Sequence, residues 1–224
     1  MPILSEADHA RVSEAVTAAE GQTSGEIVTV VTERSDGYTD VSLALAAIVA
    51  VTILTLATFF PDPPLDAYAA LHGSWNAAWS AGEVFGMAAG LAVVSFLATL
   101  GLMALPAIRF RVIPGRIRSL RVEDRAIDLF KVGAERRTHG RTGVLIYISM
   151  QEHRAEIVAD EAIAAKVSPE VWGEAMVDML GQIRHGDIAG GLVVGIVDVG
   201  KVLAEHFPRD ADDTNELPDR LIEL

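Results

Sequence analysis

Glu26, Arg141 and Asp160 are the residues whose types and placement could do chemistry together. Two carboxylates on one side of a sheet can hold a hard cation or orient a water, and an arginine beside them can receive an anionic group. The same three residues also make an ordinary salt-bridge cluster capping a sheet end, and that plainer reading takes precedence at the sequence level. A second set is the run Arg109, Arg111, Arg116, Arg118 and Arg121, five cations with no acidic residue among them. Beside a membrane such a run attracts anionic lipid, each residue contributing about 1 kcal/mol, or it serves only as a topology signal. Other sets fail on spacing. His139, His153, His185 and His206 fall on separate elements, and Glu152-His153 reads as a solvated turn. Asp210, Asp212, Asp213, Asn215 and Glu216 crowd together, but Leu221 stands where a calcium loop of the helix-loop-helix type needs Glu. No phosphate-cradling glycine loop and no nucleophile elbow is present.

Cysteine is absent, which excludes a disulfide framework, a thiolate zinc site and a thiol nucleophile. The 31 acidic and 18 basic residues give a formal charge of −13, the wrong sign for a nucleic-acid partner. Half of the 224 residues are nevertheless apolar. High charge and high hydropathy coexist here because they are segregated along the chain. Val41 to Phe60 and Val84 to Ile108 are uncharged runs, each long enough to cross about 30 Å of hydrocarbon as a helix. The link between them carries Asp62, Asp66 and Glu83 and no Lys or Arg, whereas the arginine run follows the second span. Positive charge stays on the cytoplasmic side, so two spans with both termini cytoplasmic are expected. Tyr68, Trp75 and Trp79 in the link suit the headgroup layer. Gly82, Gly86 and Gly90 would let the second span approach the first, or a partner helix, closely. The first 40 residues show no apolar core of a cleavable leader.

The elements that must position Glu26, Arg141 and Asp160 lie on both sides of these spans. Ser5 and Asp8 open a helix with an apolar stripe at Val12, Ala15, Val16 and Ala19, and Gly21 ends it. Glu26 to Val31 is a β-branched strand. Beyond the spans, Ser119 to Arg137 has helical spacing, Gly143 to Ser149 is a fully apolar strand, and Arg154 to Asp160 alternates. Pro169 opens a helix after Ser168, and Ile188 to Phe207 reads as a buried helix ending at Pro208. A crossover from the Glu26 strand to the Gly143 strand makes them parallel, and a tight turn makes the third antiparallel. Glu26, Arg141 and Asp160 then share one sheet end.

These elements carry a resemblance to a known family. Thr23-Ser24-Gly25-Glu26-Ile27-Val28, Arg141-Thr142-Gly143-Val144-Leu145-Ile146 and Glu156-Ile157-Val158-Ala159-Asp160 resemble the TPM-domain proteins, over roughly residues 3–36 and 119–208. His206-Phe207-Pro208 with Asn215-Glu216-Leu217-Pro218-Asp219 is similar to the tail of bacterial membrane relatives with an inserted hairpin. The resemblance implies a three-layer α/β/α sandwich split by a two-helix transmembrane hairpin. Its members include photosystem-repair factors, a domain reported as an acid phosphatase with calcium, and a receptor modulator. Many carry Asn-Asn before Gly-Val-Leu, where this chain has Arg141-Thr142.

The expected organisation is a first part of the domain in 1–40, the hairpin in 41–108, a basic arm with the rest of the domain in 109–208, and a solvated acidic tail in 209–224. The expected function is a membrane-anchored, non-catalytic interaction or assembly module in a bacterial cytoplasmic (inner) membrane. Its partners would be membrane lipids and another membrane protein. Two alternatives stand beside it: a metal-assisted phosphatase on Glu26 and Asp160, and a regulator responding to lipid or calcium. No cofactor is expected, calcium being the one alternative.

Overall fold

The computed structural model describes residues 3–72, 79–133, 142–209 and 217–224. Their elements run α1 (Glu6–Glu20), β1 (Glu26–Thr32), α2 (Thr39–Phe59), α3 (Asp62–His72), α4 (Ala81–Met103), α5 (Pro106–Val112) and α6 (Gly115–Gly133). There follow β2 (Gly143–Ser149), β3 (Arg154–Ala159), α7 (Glu161–Ala164), α8 (Pro169–Arg184), α9 (Ile188–His206) and β4 (Ile222–Glu223). The chain divides into two units, Met1–Asp36 with Gly115–Leu224, and Gly37–Pro114.

The first unit is built around two strands with no solvent face. Every residue of β1 and β2 is buried, as the apolar runs EIVTVVT and GVLIYIS require when both sheet faces are covered. They pair in parallel from Glu26 opposite Gly143 to Thr32 opposite Ser149. β3 returns antiparallel to β2, and the sheet order is β3-β2-β1-β4. Alternate side chains feed two cores. Ile27, Val31, Val144, Ile146 and Ile148 pack with residues of α1, α8 and α9. Val28, Val30, Leu145 and Tyr147 pack with Val122, Ala126 and Phe130 of α6. This is the three-layer α/β/α sandwich. Close approach of α8 and α9 depends on Gly191, where an added Cβ would lie 2.8 Å from the Met179 carbonyl oxygen.

The tail departs from expectation. Residues 217–224 are not a solvated acidic extension: Leu217 and Leu221 are buried, and Ile222 pairs in parallel with Val30. Glu223 accepts hydrogen bonds from the amides of Ile3 and Leu4 at 2.8 and 2.9 Å and contacts His9 Nε2 at 2.9 Å. Without β4 the hydrogen-bonding edge of β1 would lie open. Asp210, Asp212, Asp213, Asn215 and Glu216 fall outside the described residues.

In the second unit α2 and α4 have 21 and 23 residues and are long and apolar enough to cross a membrane. They pack on each other, with Ala46 and Ala50 buried on one and Ser95 and Met103 on the other. Large apolar side chains elsewhere stand open, such as Ile48 at 62% and Phe85 at 75%. The expected second span, 84–108, is shifted and shorter. Ser80 and Glu83 form a capping box that starts α4 early. Pro106 ends the segment, because its ring clashes with the carbonyl four residues back and it has no N–H to donate. It serves instead as the first residue of α5. The glycine expectation also changes: a Cβ at Gly86, Gly90 or Gly101 would meet nothing within 4 Å. These glycines therefore do not form the seam with α2. Tyr68 and Trp79 meet edge to face at 5.8 Å; Trp75 lies outside the described residues.

Candidate functional site

Glu26 and Asp160 lie at one end of the sheet, each 4% exposed. Parallel β1 and β2 put Glu26 opposite Gly143, and antiparallel β3 brings its last residue, Ala159, opposite Val144. Asp160 Oδ2 accepts the Gly143 amide at 3.1 Å while its own amide donates to the Gly143 carbonyl at 3.0 Å. Glu26 donates its amide to the Thr142 carbonyl at 3.0 Å, and its Oε2 accepts the Leu217 amide at 3.2 Å. The two carboxylates thus flank the start of β2 and each satisfies a backbone N–H. Arg141, the third expected member, lies outside the described residues. Among the described residues no three of His, Asp and Glu gather as a cation group would require.

A third carboxyl at this sheet end escaped the sequence reading. Glu20, the last residue of α1, is buried; its Oε1 accepts the Ile27 amide at 2.7 Å, and its Oε2 is buried without a hydrogen-bond partner. Burial pushes its pKa up to about 8, against the lowering by the Ile27 amide, and the Glu26 and Asp219 charges push it further. Asp219 is held by the Thr17 hydroxyl at 2.6 Å. The chemistry at hand is proton storage: near neutral pH the buried Glu20 carboxyl keeps its proton.

The Thr23-Ser24-Gly25 segment before Glu26 ties this end to α9. The Thr23 hydroxyl donates to the Phe207 carbonyl, and the Thr142 hydroxyl to the Ser24 carbonyl at 2.9 Å. A Cβ on Gly25 would lie 3.0 Å from Leu203 Cδ1 and 3.3 Å from the Thr142 carbonyl oxygen. A branched side chain has no room there. Gly25→Val is expected to cost about 1–3 kcal/mol by overpacking, read as a lowered urea midpoint with an unchanged slope.

The arginine run divides by role. Arg109 is buried, donating from Nε to the Met103 carbonyl at 3.0 Å and from Nη2 to the Ala104 carbonyl at 3.2 Å. It caps the carboxyl end of α4 and is not presented to lipid. Arg121 pairs with Asp36 at 3.3 Å, Arg118 is half-buried, and Arg111 and Arg116 are exposed. The Glu152-His153 turn is corrected as well. His153 is exposed with a left-handed φ of 52°, but Glu152 is 0% exposed. It accepts the Ser35 amide at 3.0 Å and the Ser149 hydroxyl. The turn bends a carboxylate inward to tie the ends of β1 and β2. His153, His185 and His206 stay on separate elements; His139 lies outside the described residues.

Residues 110–202 match the family model of the TPM domain. No curated protein matches the chain. Among solved structures, the NMR structure of BA42 protein from the psychrophilic bacterium Bizionia argentinensis is similar, with a TM-score of 0.57 and 20% identity. The match covers 100% of this chain and 97% of that one. At that identity the likeness speaks for the fold. The family match begins after the hairpin, yet the sheet it describes is completed by β1 from before it, in register with β2. Over residues 110–202 the chain is similar to the TPM domain, and its fold is similar to that of BA42 protein.

Proposed function

We propose that this chain is a membrane-anchored TPM module that binds or helps assemble another membrane protein and catalyses no reaction itself. The observation that carries this reading is the pair α2 and α4, whose open surfaces are apolar side chains unsuited to water. The uncovered face at Gly86 and Gly90 supports it, since small residues let a further helix approach. The TPM domain then stands on the cytoplasmic side of a bacterial inner membrane, following the arginines after α4.

A photoreactive amino acid at Val94 of α4, in native membranes, should yield one discrete crosslinked species larger than the chain. Diffuse lipid adducts alone would contradict a protein partner. Because the chain has no cysteine, single cysteines at Ser74 and Thr214 report topology. A membrane-impermeant thiol reagent on intact cells should label the first and spare the second. The metal-assisted phosphatase remains the competing reading, favoured by two buried carboxylates beside the start of β2. Calcium that raised the melting temperature of the native chain but not of Asp160→Asn would support it. Little effect of calcium on either is expected.

A further inference from the structure

The opposite sheet end carries a cavity that the proposed function does not use. Its volume is about 560 Å³, within the range of small-molecule sites. The walls are aliphatic: Ile148 and Met150 at the end of β2, Leu180 and Ile183 on α8, and Ile188 at the start of α9. No Phe, Tyr or Trp is among the described residues that line it. The Ser149 hydroxyl on the wall is committed to Glu152, so the interior offers little to fix a polar ligand. Apolar contact without direction suits a flexible alkyl chain.

Three cationic or ionisable side chains also line this cavity in a protein of net charge −13: Arg154, Arg184 and His153. Arg154 is oriented by hydrogen bonds from Nε to the Ser119 hydroxyl and from Nη1 to the His153 carbonyl, both 3.1 Å. The His153 ring is set by its left-handed backbone and by contact of Nδ1 with the Gln151 carbonyl at 3.2 Å. Arg184 is exposed and makes no hydrogen bond or ion pair among the described residues. An aliphatic cavity beside arginines is complementary to an amphiphile with an anionic head. Thr32, opposite Ser149 in the sheet, stands seven residues before the start of α2, so the cavity is at the sheet end from which the chain leaves for the hairpin.

We infer that this cavity binds a fatty acid, its alkyl chain among Met150, Leu180, Ile183 and Ile188 and its carboxylate at Arg184 and Arg154. The inference rests on the anchoring part of the proposed function for the ligand's supply, and is independent of any protein partner.

The test uses the full chain in phosphatidylcholine nanodiscs with a photoreactive palmitic acid bearing a diazirine on its chain, adducts being mapped by mass spectrometry. Adducts on residues 148–150 and 180–188 are expected. Arg184→Glu should lower them at least about fivefold, the loss of roughly one charge-assisted hydrogen bond. Leu180→Trp, which fills the cavity, should lower them similarly. Hydrogen-exchange protection of β2 shows that each variant is folded; if Leu180→Trp is not, Arg184→Glu decides. Absence of cavity adducts, labelling unchanged by Arg184→Glu, or equal labelling by the corresponding neutral alcohol overturns the inference. Adducts on α2 and α4 report insertion separately. Cavity labelling without them would leave the inference standing and remove the anchor.

Discussion

Glu20→Gln is expected to stabilise the soluble unit at pH 8 and to leave it nearly unchanged at pH 4.5. The folded state raises the pKa of Glu20 from 4.5 to about 8, chiefly by burial. Between those values the folded chain holds a proton that the unfolded chain has released. Stability attributable to this group is therefore full below pH 4.5, falls as pH rises through the window, and is flat above 8. A displacement of that size corresponds to at most about 5 kcal/mol, and relaxation of the site brings the expected gain to roughly 2–3 kcal/mol. Gln keeps the acceptor for the Ile27 amide and replaces the unpartnered oxygen with an amide that carries no charge beside Glu26 and Asp219. Urea unfolding followed by hydrogen exchange of β1 and β2 amides, at pH 4.5, 6.5 and 8, measures this. A variant whose stability keeps the native slope across those values would show that Glu20 titrates normally.

That effect was not legible in the sequence, for a physical reason. Glu20 reads as the polar last residue of an amphipathic helix, and nothing within a few residues says that its carboxyl turns inward. Its environment comes from Glu26 and from Asp219, the latter 199 positions away. Glu152 is similar: it looks like a turn residue until Ser35, from before the hairpin, donates to it. β4 escaped because two residues carry no periodicity; its strand character comes from the open edge of β1. What could be read was what repeats locally: the two apolar strands, the stripes of α1 and α8, and the uncharged spans. The shared sheet end of Glu26 and Asp160 could be read too, since it follows from strand direction alone. The second span ends short of its uncharged run because proline's lost donor at Pro106 acts whatever surrounds it, a signal that composition does not carry.

Residues 115–224 expressed alone are expected not to fold cooperatively, whereas the chain with 37–114 replaced by a short flexible linker should give a soluble, cooperative domain. β1 is an interior strand, between β2 and β4. Removing it takes Ile27, Val28, Val30 and Val31 from the two cores, all buried. At about 2 kcal/mol for each such side chain the loss is about 8 kcal/mol, comparable with the whole net stability of a typical domain, about 5–15 kcal/mol. It also exposes the edge of β2 and leaves β4 no strand to pair with. The hairpin contributes nothing to this sheet. Its replacement is sterically simple because Asp36 already pairs with Arg121 at 3.3 Å. Gly115 is six residues before Arg121 on α6, about 9 Å along the axis, which a linker of about five flexible residues can span. Urea unfolding of both proteins, with the slope as the measure of buried surface, decides the matter. A sharp transition in the 115–224 fragment, with a slope near that of the fused domain, would mean that the second half folds without β1 and that the split sheet is dispensable.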